Sequence, residues 1–247
     1  IGNEGNSGDK VNLDGDFAIT INSGTATVAQ VNSYGSATTG VITATISDQT
    51  IAALDDLTTS SADQLTITVA STSATASQLT TVAGATGLNV TATAVEAISN
   101  SSVAQVKSLF TDEGSTGDKV NLDGNFTVAI NDTGTVDVAD LNTINSATSG
   151  LVTATGVATL TGTASAITTL IGNEGTSGDK VNLDSDYLVT ITDTGSVAAS
   201  DLSTINAATT GLVTATSVAT LTGTAAAINT LVGNEGDSGD KVNLDSD

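Results

Sequence analysis

Four stretches of this chain gather carboxylates at a spacing that suits a hard cation. Residues 1–16 carry Glu4, Asp9, Asp14 and Asp16, and residues 111–125 carry Glu113, Asp118 and Asp123. Residues 172–186 carry Glu174, Asp179, Asp184 and Asp186, and residues 233–247 carry Glu235, Asp240 and Asp245. Asp112, Asp237 and Asp247 add charge beside them. Oxygen ligands this close in sequence, separated by Gly and Asn that leave carbonyls free to turn inward, predict a calcium loop. A softer metal is not expected, because the chain has no Cys and no His.

A simpler reading stands beside it. Acidic, Gly-rich segments also serve as solvated turns, with the lysine in each copy (Lys10, Lys119, Lys180 and Lys241) pairing locally. The order of acids is not that of an EF-hand, which needs an Asp-x-Asp-x-Asp-Gly run and a distal Glu. Nor does Gly-Asp-Lys-Val reproduce a phosphate loop, where Ser or Thr follows the lysine.

Composition narrows the chemistry further. Without His, Cys, Met, Trp, Pro or Arg, the chain has no imidazole base and no thiolate nucleophile, and the expectation is a protein that is not an enzyme. A net charge of -22, from 27 acids against five lysines, repels nucleic acid and anionic membrane surfaces and favours cations as partners. No apolar run is long enough to cross a bilayer. Three Phe and two Tyr cannot fill a thick core, so an apolar content of 38% carried mainly by Ala, Val, Leu and Ile predicts a thin one.

What positions the acidic segments is a repeat. The string around each lysine recurs at intervals of 109, 61 and 61 residues. Within it runs a shorter coil whose strand-like segments start near 17, 41, 65, 89, 126, 151, 187 and 212. Plain steps are 24 or 25 residues, and the longer steps hold the acidic insertions. The first half of a coil alternates, as Ile42, Ala44 and Ile46 do against Thr43 and Thr45, which predicts a half-buried strand. The second half recurs every three residues, as in Ile51, Leu54 and Leu57 or Val138, Leu141 and Ile144, which predicts a short helix.

Ser47-Asp48 and Thr222-Gly223-Thr224 stand where a helix cap is needed, and Gly40, Gly87, Gly150 and Gly211 where a helix ends and positive φ is useful. One strand and one helix per coil predict an α/β solenoid over residues 1–247, with an all-β solenoid as the alternative. Phe17, Phe126 and Tyr187 share one strand position and are candidates for an aromatic column in the core. Because residues 241–247 match 10–16, a longer polypeptide or an end-to-end polymer is the expectation.

Two resemblances bear on function. The strings Val189-Thr190-Ile191-Thr192-Asp193-Thr194-Gly195, Ala208-Thr209-Thr210-Gly211 and Thr222-Gly223-Thr224-Ala225-Ala226 resemble the very long Thr/Ala/Gly/Asp-rich repeat proteins of cyanobacterial and other Gram-negative cell surfaces. That likeness implies secretion and a role in a surface layer, a filament or an adhesin, often with calcium. The loop from Gly5 to Leu13 is distantly similar to the calcium-binding nonapeptides of RTX proteins but lacks their tandem Gly-Gly-x-Gly-x-Asp spacing. Thr-x-Thr pairs such as Thr43 with Thr45 and Thr66 with Thr68 resemble the ice-binding faces of some antifreeze solenoids, although threonine is also common on any solvated strand. The leading expectation is an extracellular filament or surface-layer element that self-associates end to end. The alternatives are a calcium-rigidified adhesin stalk and an ice-binding solenoid.

Overall fold

Short β-branched runs, each followed by an Ala- and Leu-bearing segment, give strand and helix in alternation along the chain. The computed structural model describes residues 8, 13–116 and 119–244. Its contacts divide the chain into two units, one of residues 1–98 with 108–123 and the other of 99–107 with 124–247.

The elements before residue 124 are β1 (Ile19–Thr20), α1 (Val28–Gly35), β2 (Ile42–Thr45), α2 (Ile51–Leu54), β3 (Gln64–Thr68), β4 (Ser73–Ala74), α3 (Ala76–Gly84), β5 (Val90–Thr91), β6 (Ala97–Ser101), α4 (Val103–Thr111) and β7 (Val120–Asn121). In the first unit β1, β2, β3, β5 and β7 lie side by side in that order, all parallel. The register stacks apolar on apolar: Ile19 on Ile42, Ala44 on Leu65, Ile67 on Val90 and Val90 on Val120. Leu79 and Val82 of α3 are buried in the same unit. Helix α2 is a single turn because Asp55-Asp56 follow it, putting negative charge where the helix dipole is already negative. Asn32 of α1 takes over the free backbone there, donating from Nδ2 to the Asp56 carbonyl at 2.7 Å and accepting from the Thr58 N–H at 2.9 Å.

The second half of the chain continues with β8 (Thr127–Ile130), β9 (Thr135–Asp137), α5 (Val138–Ser146), β10 (Val152–Thr153), β11 (Thr159–Gly162), α6 (Ala164–Gly172), β12 (Val181–Asn182), β13 (Leu188–Ile191), β14 (Ser196–Ala198), α7 (Ala199–Ala208), β15 (Val213–Thr214), β16 (Thr220–Thr222), α8 (Ala225–Val232) and β17 (Val242–Asn243). Helices α5 to α8 pack in sequence, each on the next. Leu141, Ile144, Ile167, Leu202 and Ile205 line their buried side. Phe126 and Tyr187 are both buried in this unit.

Parallel strands alternating with short helices make this an α/β solenoid. The helices rule out the all-β alternative. Most coils hold a second short strand before the helix, which the sequence does not announce because it spans only two to five residues. The insertions are also more than loops. The Val-Asn of each described copy becomes a strand, β7, β12 or β17, added to β5, β10 or β15. In the second unit the strand after an insertion is displaced sideways by this: β13 pairs with β11, the second strand of the preceding coil, instead of with β10. An insertion therefore moves the winding over by one strand row.

A buried threonine and a glycine join coil to coil. Thr86 Oγ1 donates to the Leu65 carbonyl at 2.9 Å and accepts from the Leu65 N–H at 2.8 Å and the Leu88 N–H at 3.1 Å. Thr209 repeats this in the second unit, donating to the Tyr187 carbonyl at 2.6 Å and accepting from Gly211 at 3.0 Å. The glycine that follows is required for a reason other than the one the sequence suggested. None of Gly40, Gly87, Gly150 and Gly211 has positive φ. They sit against the backbone of the preceding coil, where a Cβ on Gly87 would lie 2.5 Å from the Ser61 carbonyl oxygen and one on Gly211 would strike that of Tyr187.

Candidate functional site: the acidic insertions

The third insertion is described in full and shows how the segment is built. Helix α6 ends at Gly172, and the chain closes a small ring: Val181 N–H donates to the Asn173 carbonyl at 2.9 Å, and Gly175 N–H donates to the Val181 carbonyl at 3.0 Å. Gly178 makes the turn at φ 69°, a conformation that costs an ordinary side chain energy. The second insertion closes between Asp112 and Val120, the fourth between Asn234 and Val242, with the same pair of bonds.

Each described lysine of an insertion folds back over its ring. Lys119 Nζ donates to the Thr111 carbonyl at 2.7 Å, the last residue of α4, and lies 3.9 Å from Asp112. Lys180 Nζ reaches the Gly172 carbonyl at the end of α6 at 3.5 Å, and Lys241 Nζ donates to Asn234 Oδ1 at 3.2 Å. The lysine stem crosses the first glycine of the ring, so a Cβ on Gly175 would come 3.0 Å from Lys180 Cγ. A cation over the carbonyl end of a helix satisfies free acceptors and opposes the dipole.

The carboxylates of the predicted set disperse. Asp184 Oδ1 accepts from its neighbour Ser185 N–H at 2.8 Å, and Asp14 does the same from Gly15 at 2.9 Å. Asp240 Oδ1 accepts from Asn206 Nδ2 of α7 at 3.0 Å. Asp16, Glu113, Asp123, Asp179, Asp186 and Glu235 are exposed. Glu174 is partly covered, and that burial raises its carboxyl above the usual range. Burial and the nearby Glu174 charge together push up the Tyr187 hydroxyl, which donates to the Ala208 carbonyl at 3.3 Å. Among the described residues no three carboxylates converge as a metal would need. Glu4, Asp9, Asp118 and Asp245 lie outside the described residues.

The acids with a clear structural task stand outside the insertions, and the ligand reading passed over them. Asp48, Asp132 and Asp193 each accept, at 2.7 Å, the first N–H of a helix one coil earlier: Val28 of α1, Val103 of α4 and Ala164 of α6. Ser71 plays the part for Ile51 of α2 at 2.9 Å. The sequence puts Asp48 in place to cap its own helix, but α2 has Thr50 at its N-cap without a side-chain bond. The expected cap at Thr224 is present, accepting from Ala227 N–H at 3.2 Å. Asp63, buried, accepts from Ile42 at 2.8 Å and Ser60 at 3.1 Å. The legible signal was an Asp two residues past the last inward residue of a long strand, as in Ile130-Asn131-Asp132 and Ile191-Thr192-Asp193.

Threonine columns on the strands are short: Thr45 faces Thr66, Thr68 faces Thr91, and Thr161, Thr190 and Thr214 stand in one row, but Thr43 meets Gln64, Thr91 meets Asn121 and Thr214 meets Asn243. No helix among the described residues is long and apolar enough to cross a membrane. The class defined by these features is an α/β solenoid whose acidic insertions act as strand-adding joints. Comparison with protein-family models, with curated proteins and with solved structures yields no match.

Proposed function

We propose that the chain is a structural element of an extracellular filament or surface layer, with no catalytic task. The observation that supports this is where the polar chemistry goes. At position after position, a buried Thr and a cross-coil Asp or Ser are bonded to the backbone of a neighbouring coil, so these recurrent polar groups hold coils together. In a solenoid, stability is the sum of coil and neighbour terms, which suits a protein made to be long and stiff. Strong negative charge keeps such a surface solvated.

Electron microscopy of the purified protein tests the reading. Regular end-to-end fibres or sheets are the expected image. Isolated tapered stalks would instead establish the adhesin reading, and a calcium-dependent melting temperature in the same sample would add the cation to it.

A further inference from the structure

We propose that the outer edge of β9 receives an extended basic peptide, which lies in the groove between this strand and α4. The proposal goes beyond the filament reading, because it assigns a partner other than the chain itself.

The sideways step at an insertion creates the edge. Strand β9 is the second strand of a displaced coil and stands first in its sheet. It pairs with β11 alone, Val136 opposite Leu160, and among the described residues no strand lies on its other side. Elements of the solenoid precede and follow it in the chain, so the open edge is interior to the sequence. Successive peptide groups of a strand point to opposite edges. The Gly134 carbonyl accepts from the N–H groups of Ala158 and Thr159 at 3.2 Å, on the side of β11. The Thr135 N–H and carbonyl and the Asp137 N–H therefore face the open side. An unpaired row of this kind is a template for another strand.

Beside the edge runs a groove of about 390 Å³, within the size range of ligand sites. Val103, Ala104 and Lys107 of α4 form one wall and β9 the other, all of them in the second unit. Ala104 and Thr135 are exposed and small, which leaves the backbone accessible, while Val136 is buried and holds the strand to the core.

Charge selects the occupant. Three carboxylates, Asp132, Asp137 and Asp140, line the groove against one lysine. Lys107 Nζ is paired with Asp140. Asp132 and Asp137 accept from backbone, Val103 N–H at 2.7 Å and Ala139 N–H at 2.9 Å, and among the described residues no lysine neutralises them. Two negative charges next to free strand donors suit a peptide that is both extended and basic. Main-chain bonds to Thr135 and Asp137 would supply affinity, and lysine or arginine on alternate residues, which share a face, would supply specificity. A second copy is the poorer occupant, since a chain of net charge -22 is repelled by the same carboxylates. Strand β14 is likewise first in its sheet, but Ala198 replaces Asp137 there and the charge at the edge is lost.

A capped octapeptide of alternating lysine and valine is the probe, with alternating lysine and proline as its equally charged partner that cannot add as a strand. Fluorescence anisotropy in about 0.15 M NaCl, where exposed charges are partly screened, is expected to show the lysine–valine peptide binding about tenfold more tightly. Thr135→Pro removes an N–H on the open side and spares the Val136 bonds to β11; Ala104→Trp fills the groove from α4. Each is expected to lower affinity for the lysine–valine peptide about tenfold, to the level of the lysine–proline one, with an unchanged melting temperature. Ala104→Trp keeps the test decisive if the proline variant misfolds. Hydrogen exchange at the Thr135 and Asp137 amides slows with bound peptide, more than at Ser196 and Ala198 of β14. Equal binding of the two peptides, binding untouched by either substitution, or no binding at all overturns the proposal and leaves the filament reading standing. Protection of Thr135 that grows with protein concentration in the absence of peptide overturns it in favour of a second copy.

Discussion

Helices α6 and α8 are nearly the same peptide in different surroundings. Thr163-Ala164-Ser165-Ala166-Ile167 and Thr224-Ala225-Ala226-Ala227-Ile228 start them, each threonine caps its helix at 3.2 Å, and both helices form. In α6 the apolar side is closed at Ala164, Ile167 and Leu170, and Asp193 from the following coil holds its first N–H. In α8 only Leu231 is buried. Helix formation is thus a local property of the repeat, whereas burial comes from the coil that follows. The boundary with a neighbour is therefore a separate term in the stability of a coil.

Cutting the same side chain in both helices is the strongest way to break this comparison. Ile167→Ala empties a fully buried position and is expected to cost about 2–5 kcal/mol. Ile228→Ala removes a side chain already partly in water and is expected to cost less than about 1 kcal/mol. Urea unfolding followed by far-ultraviolet circular dichroism reads the difference. Equal losses would mean that the boundary contributes little.

Glycine substitutions sharpen the same point with opposite signs. Gly211→Ala drives a methyl into the Tyr187 carbonyl, and overpacking of this kind is expected to cost about 1–3 kcal/mol. Gly172→Ala, at the end of α6 with nothing within 4 Å of the added carbon, is expected to stabilise by about 0.5–1 kcal/mol. Next in size is Asp193→Ala, which strips α6 of its cross-coil acceptor and is expected to cost about 1 kcal/mol. The effect should fall with added salt insofar as it is electrostatic, and hydrogen exchange at the Ala164 amide should rise.

The sequence displays most of this framework for a physical reason. Inward Ile, Leu and Val repeat at two spacings, and those spacings are strand and helix whatever the partner, so the coil can be read from Ile42, Ala44 and Ile46 followed by Ile51 and Leu54. Joints between coils are harder to read because both members are polar and 20 or more residues apart. Asp48 looks like a cap for the helix just after it, and only the winding shows that it serves Val28. Gly211 has an ordinary φ, and its need for a bare Cα comes from a carbonyl 24 residues earlier. The acidic insertions are hard to read for the same reason. Four acids close in sequence suggest a cage, but among the described residues Glu174, Asp179, Asp184 and Asp186 form no cluster of three.

The smallest expected effect lies in one residue of those insertions, and it returns to the two coils. Glu174 follows α6 and is partly covered, with Tyr187 of the next coil beside it; Glu235 follows α8 and is exposed. Burial raises the Glu174 carboxyl above its ordinary value of 4.5, so the folded chain holds that proton more firmly than the unfolded chain does. The contribution to stability is therefore complete below about pH 4 and is lost as pH rises through the raised folded value. Glu174→Gln, which stays neutral, should melt with the wild type in acid and slightly above it at pH 7, the gap opening as pH climbs. Glu235→Gln, at an exposed position, is the matched control. Melting curves of the three proteins between pH 4 and pH 7 would show whether burial makes the two glutamates differ, and a gap of the same size in both variants would refute it.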